Sequence, residues 1–204
     1  MKGMITAILA LGALVSCGQK RQDAATPVTF DDVLATRRSV RDFDASKSVS
    51  EAEVREILTA AQDAPSWANT QSARYNVAIS PEKADAVRSL LAGSNPQKTA
   101  GAHVFIVSTF VKGQSGFFHG VASNEIGDGW GAYDNGLANA YLVLKARAIG
   151  LDTLIMGIRD ADALRTLLGI PEEEVVMAVI ALGHRASDPQ KPNRKSLDDI
   201  VKFF

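Results

Sequence analysis

Three arginines within five residues, Arg37-Arg38-Ser39-Val40-Arg41, form the stretch of this 204-residue chain best suited to chemistry. Each guanidinium presents forked donors that match phosphate oxygens, and the Ser39 hydroxyl adds one more donor. A merely solvated basic corner usually runs longer, and here Asp42 and Asp44 follow at once. The chain has no global basic field: 22 Lys and Arg stand against 23 Asp and Glu, a formal charge of −1. Without residues 1–16, which carry only Lys2, the balance is 21 against 23, or −2. That balance gives no footprint for nucleic acid. The arginines read as a local anion clamp.

Other chemistries find little support. His103, His119 and His184 are dispersed, and no metal-ligand cluster is present. Neither G-x-G-x-x-G nor G-x-x-x-x-G-K-[ST] occurs, which argues against a Rossmann or P-loop site. No G-x-S-x-G elbow marks a serine nucleophile. Pro65-Ser66-Trp67-Ala68-Asn69-Thr70-Gln71 is different, because its amides could read a planar polar ring from a loop.

The elements that must position these residues mix helices and strands without a clean βαβ rhythm. Thr29 with Asp32 opens a short helix that delivers Arg37 and Arg38 at its end. Ser50 with Glu53 opens a second helix, with Val54, Ile57, Leu58 and Ala61 at helical spacing, stopped by Pro65. Tyr75–Ser80 predicts a short strand, and Ser80-Pro81 starts a helix running to Gly93. Asn95–Lys98 predicts a turn, and His103–Thr109 a central apolar strand. Gly113–Gly131 is glycine-rich and aromatic, with no regular element predicted, and reads as a lid. Asn135–Ile149 reads as a helix apolar nearly all round, hence buried in the domain or at a subunit interface. A strand over Leu151–Met156, a helix capped by Asp160, a strand over Val175–Leu182 and an amphipathic Leu197–Phe204 complete the chain.

The N-terminus carries its own signal. Lys2 precedes an apolar run, Met4–Val15, too short for a comfortable membrane span, so residues 1–16 read as a signal peptide. Leu14-Val15-Ser16-Cys17 resembles the lipobox of bacterial lipoproteins, which implies lipidation at Cys17. Cys17 is the single cysteine, so no intramolecular disulfide is possible. Polar residues 17–28 then form a flexible tether, and 29–204 the folded domain. This places the domain in the cell envelope, anchored to a bacterial membrane by lipid and outside the cytoplasm.

From about Phe30 to Val201 the chain resembles the FMN-dependent nitroreductases. The resemblance rests on Arg37-Arg38-Ser39-Val40-Arg41, Pro65–Gln71, Asn95-Pro96-Gln97-Lys98, Gly150-Leu151 followed by Gly157, and Gly183-His184 followed by Arg194. It implies an α+β nitroreductase-like fold, an antiparallel-dominated central sheet surrounded by helices, assembled as a homodimer. It implies that Arg37, Ser39 and Arg194 hold an FMN phosphate, with Arg38 and Arg41 at the phosphate or the ring's polar edge. Asn95 and Lys98 would meet the pyrimidine edge and ribityl chain. Backbone around Met156, Gly157 and Ile158 would donate to flavin N5, and Pro65, Ser66 and Asn69 would reach the other subunit's FMN. The implied activity is ping-pong hydride transfer through N5 to a nitroaromatic or quinone-like acceptor, with no catalytic side chain. Other flavin chemistry on the same fold, as in a dehydrogenase or dehalogenase, and a non-catalytic flavin-binding lipoprotein remain as alternatives.

The chain departs from the family pattern in three places. Ser72-Ala73 stand where Pro-Trp is common, and Pro192 stands where a basic residue often precedes the final arginine. The leader is the third, since typical members are cytoplasmic and use NAD(P)H as electron donor.

Overall fold

A computed structural model describes residues 28–204. The expected signal peptide 1–16, Cys17 and the tether as far as residue 27 lie outside the described residues. The first two helices begin where the caps predict. Helix α1, Phe30–Thr36, opens on a reciprocal box: the Asp32 amide donates to Thr29 Oγ1 at 3.1 Å, and the Thr29 amide to Asp32 Oδ2 at 3.0 Å. Helix α2, Glu51–Gln62, repeats the device with Ser50 and Glu53. It buries Val54, Ile57 and Ala61 and ends short of Pro65.

The central sheet takes β1 (Ala73–Ala78), β2 (Val104–Val111), β5 (Asp152–Met156) and β6 (Glu174–Gly183), in the order β1-β2-β6-β5, with every pair antiparallel. Alternation along the two central strands divides the core. Phe105 and Val107 of β2, with Val179 and Ala181 of β6, face α3 (Pro81–Ser89) and α6 (Ala161–Leu168), where Val87 and Leu164 are fully buried. Val104, Ile106, Ile180 and Leu182 face α2 and α5 (Gly129–Ala148), meeting Ile57 and Leu142. Both faces are covered, so these strands read as continuous apolar runs. The expected α+β class and antiparallel sheet are what the fold shows.

Four local expectations need correction. Asn95–Lys98 is not a bare turn but one turn of helix, α4. Residues 113–131 hold a small hairpin, β3 (Phe117–Phe118) with β4 (Val121–Ala122), and α5 already begins at Gly129. Glycine there serves packing: a Cβ on Gly131 would lie 2.4 Å from the Phe110 ring. Nor is α5 without polar residues on one face. Asp134, Asn135 and Asn139 point inward, and Asn135 and Asn139 bond Ser108 of β2. Leu197–Phe204 forms no helix; Leu197, Ile200, Phe203 and Phe204 are exposed.

Candidate functional site

The chain leaving α1 lies along the edge strand β5. Ser39 bridges Thr153 in parallel, and the Val40 amide donates to the Thr153 carbonyl at 3.0 Å. Val40 and Phe43 go into the core, so the residues between and before them stay outside. Arg37, Arg38, Ser39 and Arg41 thereby line a cleft of about 450 Å³, closed on its far side by Lys191, Pro192 and Arg194. Five cations face this space, and among the described residues no carboxylate lines it. Among the described residues none of the five is in an ion pair. Arg38 and Arg41 are steadied by backbone carbonyls, of Arg37 at 2.7 Å and Ser39 at 3.1 Å. Such a cleft suits a phosphate, because charge-assisted bonds form without first breaking internal pairs.

What holds the clamp in place is a buried carboxylate absent from the sequence expectations. Asp152, at the start of β5, is closed in by two arginines. Arg185 Nε and Nη2 donate to it at 2.7 and 2.5 Å, and Arg147 Nη1 at 3.3 Å. The hydrogen bond to Asp152 holds the Arg185 guanidinium protonated more firmly than usual. Both arginines also reach the last residue of α1: Arg185 Nη2 donates to the Thr36 carbonyl at 3.2 Å, and Arg147 Nε to Thr36 Oγ1 at 3.1 Å. Thr36 immediately precedes Arg37, so this network fixes where the clamp begins. No local pattern announces it, since its four members come from four separate elements.

At the other end of β5, roughly 13 Å away at ordinary strand rise, stands a second group of expected residues. The Met156 side chain is buried in the core, so only its backbone can meet a ligand. Gly157 and Ile158 lie beyond the last ladder pair, Met156 opposite Val179, and are exposed. Gly157 has no positive φ, and a Cβ placed on it would meet nothing within 4 Å. Neither backbone strain nor neighbouring atoms of this chain require glycine there. Space in front of the backbone would. This loop is tied to the segment carrying Asn95 and Lys98: Leu91 bridges Arg159, Ala92 donates to the Ile158 carbonyl, and Asn95 to the Ala92 carbonyl, both at 3.3 Å.

Pro65, Ser66 and Asn69 are not brought to this edge. They sit beside β1, across three strand spacings or roughly 14 Å of sheet from β5. Their loop is strained, with Ala68, Asn69 and Gln71 at φ of 46°, 56° and 51°. It is pinned by Asp134, which accepts the Trp67 amide at 2.9 Å, and by Ser66 Oγ, which accepts the Gln71 amide at 3.0 Å. The β3–β4 hairpin stacks on it through Phe118 and Trp67, ring centroids 4.6 Å apart. Pro65, Ser66 and Asp134 also line a cavity of about 340 Å³. Tyr75 lines it too, and its buried hydroxyl has no partner among the described residues and is pushed above the usual tyrosine range by burial.

Comparison with known proteins agrees with this architecture. Residues 34–184 match the Nitroreductase family. The chain is 25% identical over 203 residues to the Bacillus subtilis (strain 168) protein YdgI, whose name proposes an NAD(P)H nitroreductase; the match covers 85% of this chain and 97% of that one. It is 27% identical over 187 residues to the NADH dehydrogenase of Thermus thermophilus, covering 81% and 91%. A nitroreductase family protein of Streptococcus pneumoniae TIGR4 superposes with a TM-score of 0.76 at 20% identity, covering 86% of this chain and all of that one. A protein of Exiguobacterium sibiricum 255-15, solved in complex with FMN, does so with 0.76 at 22%, covering 86% and 97%.

Proposed function

Because the chain belongs to the nitroreductase family, we propose that it is an oxidoreductase working through a bound FMN. One observation carries the reading: the carboxylate-free cleft of five cations and the open-backed Gly157 loop lie at opposite ends of the same strand. A mononucleotide with a phosphate at one end and a flat ring at the other fits that pair of features.

In this reading Arg37, Ser39 and Arg194 hold the phosphate, and Arg38 and Arg41 neutralise its remaining charge. Asn95 and Lys98 orient the ring's pyrimidine edge, and the Lys98 cation makes the bound cofactor a better electron acceptor. Met156, Gly157 and Ile158 offer backbone rather than side chains, and Gly157 lets the ring come close. The flavin supplies hydride transfer from a reduced donor to an electron-poor nitroaromatic or quinone-like acceptor. No side chain need act as acid or base.

We also infer that the site is completed by a second copy, whose Pro65, Ser66 and Asn69 meet the first copy's FMN. The separation of that loop from the clamp supports this. So does the outward face of α5, where Tyr133 and Tyr141 are exposed, with half-buried Leu137 between them and half-buried Leu144 one turn on. Mixing an inactive Arg37→Ala chain with an inactive Asn69→Ala chain puts both lesions on one site of the mixed dimer. Activity should return; verified subunit exchange without any return contradicts sharing. For the cofactor, the purified protein should show flavin absorbance that bleaches under anaerobic NADPH or NADH. A colourless protein that takes up no added FMN contradicts the proposal. Lipidation at Cys17, which would anchor the enzyme outside the cytoplasm, stands or falls on the mass of the mature N-terminal peptide.

A further inference from the structure

We propose that Arg159 is a positioning residue whose guanidinium aims the backbone amide of Ile158 at the flavin ring. The inference rests on the FMN reading above. Arg159 Nη1 donates to the Gly157 carbonyl at 3.0 Å, and Nη2 donates to the Val176 carbonyl of β6. Its Nε is buried with no partner among the described residues. A guanidinium leaving a buried donor unused is costly, and a surface loop needing only solubility would not retain it there.

The consequence follows from peptide geometry. The Gly157–Ile158 peptide is planar and trans, as are all peptides of the described chain, so its N–H points opposite to its C=O. With the carbonyl drawn toward Arg159 and β6, the Ile158 amide is directed the other way. That way is open: Gly157 and Ile158 are exposed, and nothing stands within 4 Å of where a Gly157 Cβ would be. The next two peptides are fixed as well, because the Ile158 carbonyl accepts from Ala92 and the Asp160 amide donates to the Leu90 carbonyl at 3.0 Å. Glycine at 157 would otherwise leave this peptide free to rotate. Arg159 removes that freedom while remaining on the far side of the backbone from the ligand. It therefore acts through the amide and touches no reacting atom.

An analogue separates this role from simple support of the fold. In 5-deaza-FMN a carbon replaces the N5 acceptor, so an amide aimed at N5 gains nothing from it. The wild-type protein should bind FMN more tightly than 5-deaza-FMN by roughly two- to tenfold, the worth of one hydrogen bond. Arg159→Met should erase that preference while retaining the wild-type melting temperature and phosphate-dependent binding. Should the Met variant not fold, Arg159→Lys carries the test. One ammonium cannot span the Gly157 and Val176 carbonyls as the fork does, so the preference should again be lost. A folded variant that keeps the full preference overturns the proposal, as does a wild type that binds both compounds equally. A wild type that binds neither compound instead overturns the FMN reading beneath it.

Discussion

Two groups of arginines meet where α1, β5 and the segment after β6 converge, and the fold treats them in opposite ways. Arg147 and Arg185 close on Asp152, whose side chain is 1% exposed, and on the end of α1. Arg37, Arg38, Arg41 and Arg194 sit nearby with no carboxylate within ion-pair reach among the described residues. Even Asp44 turns elsewhere, to Ser46 and Lys47. Charge that shapes the protein is neutralised inside it. Charge left open is available to a ligand. The same residue type thus has two roles, set by its partners.

The comparison breaks most visibly at Asp152. Asp152→Asn leaves part-buried Arg185 with only the exposed Asp188 as an ion partner, and loss of the buried partner of such a pair costs about 3–5 kcal/mol. Urea unfolding should show that loss, whereas Arg37→Ala should stay within about 0.5 kcal/mol of wild type. Equal stability of Asp152→Asn and wild type would dissolve the distinction. Gly157→Val sharpens the other end of β5. The position has ordinary φ and room for a side chain, so unfolding should change little. FMN affinity should nevertheless fall by an overpacking cost of about 1–3 kcal/mol. A lost fold, or an unchanged affinity, would show that the glycine serves something else.

The smallest effect concerns Asp44. Hydrogen bonds from the Ser46 side chain and amide, with help from Lys47, lower its pKa from 3.8 to about 2. A depressed folded-state pKa gives stability that is present above 3.8 and lost as pH falls toward 2. Asp44→Asn should therefore flatten that part of the acid limb and leave FMN binding at neutral pH unchanged. An unaltered acid limb would place the titrating group elsewhere.

Sequence made some of this plain and hid the rest for physical reasons. Caps are local, so Thr29 with Asp32 and Ser50 with Glu53 could be read directly. The clamp was visible because three of its arginines lie within five residues. Arg194 joined it only by resemblance, since its distance along the chain carries no signal. Asp152, Arg147, Arg185 and Thr36 offered nothing to read, because their meeting exists only in the tertiary structure. The start of α5 was hidden differently: Gly129 and Gly131 look like breakers, yet close packing on Phe110 outweighs their helix propensity. The polar inner face of α5 was lost among apolar neighbours, of which Tyr133 and Tyr141 stay exposed.

The central claim is that the open arginines hold a phosphate. Titrating the flavin-free protein with FMN and with riboflavin, which lacks the phosphate, tests it directly by fluorescence. Wild type should prefer FMN strongly, and Arg37→Ala should lose about 1.5–3 kcal/mol of FMN affinity with riboflavin binding unchanged. Equal affinity of wild type for the two flavins, or equal FMN affinity in wild type and mutant, would contradict it.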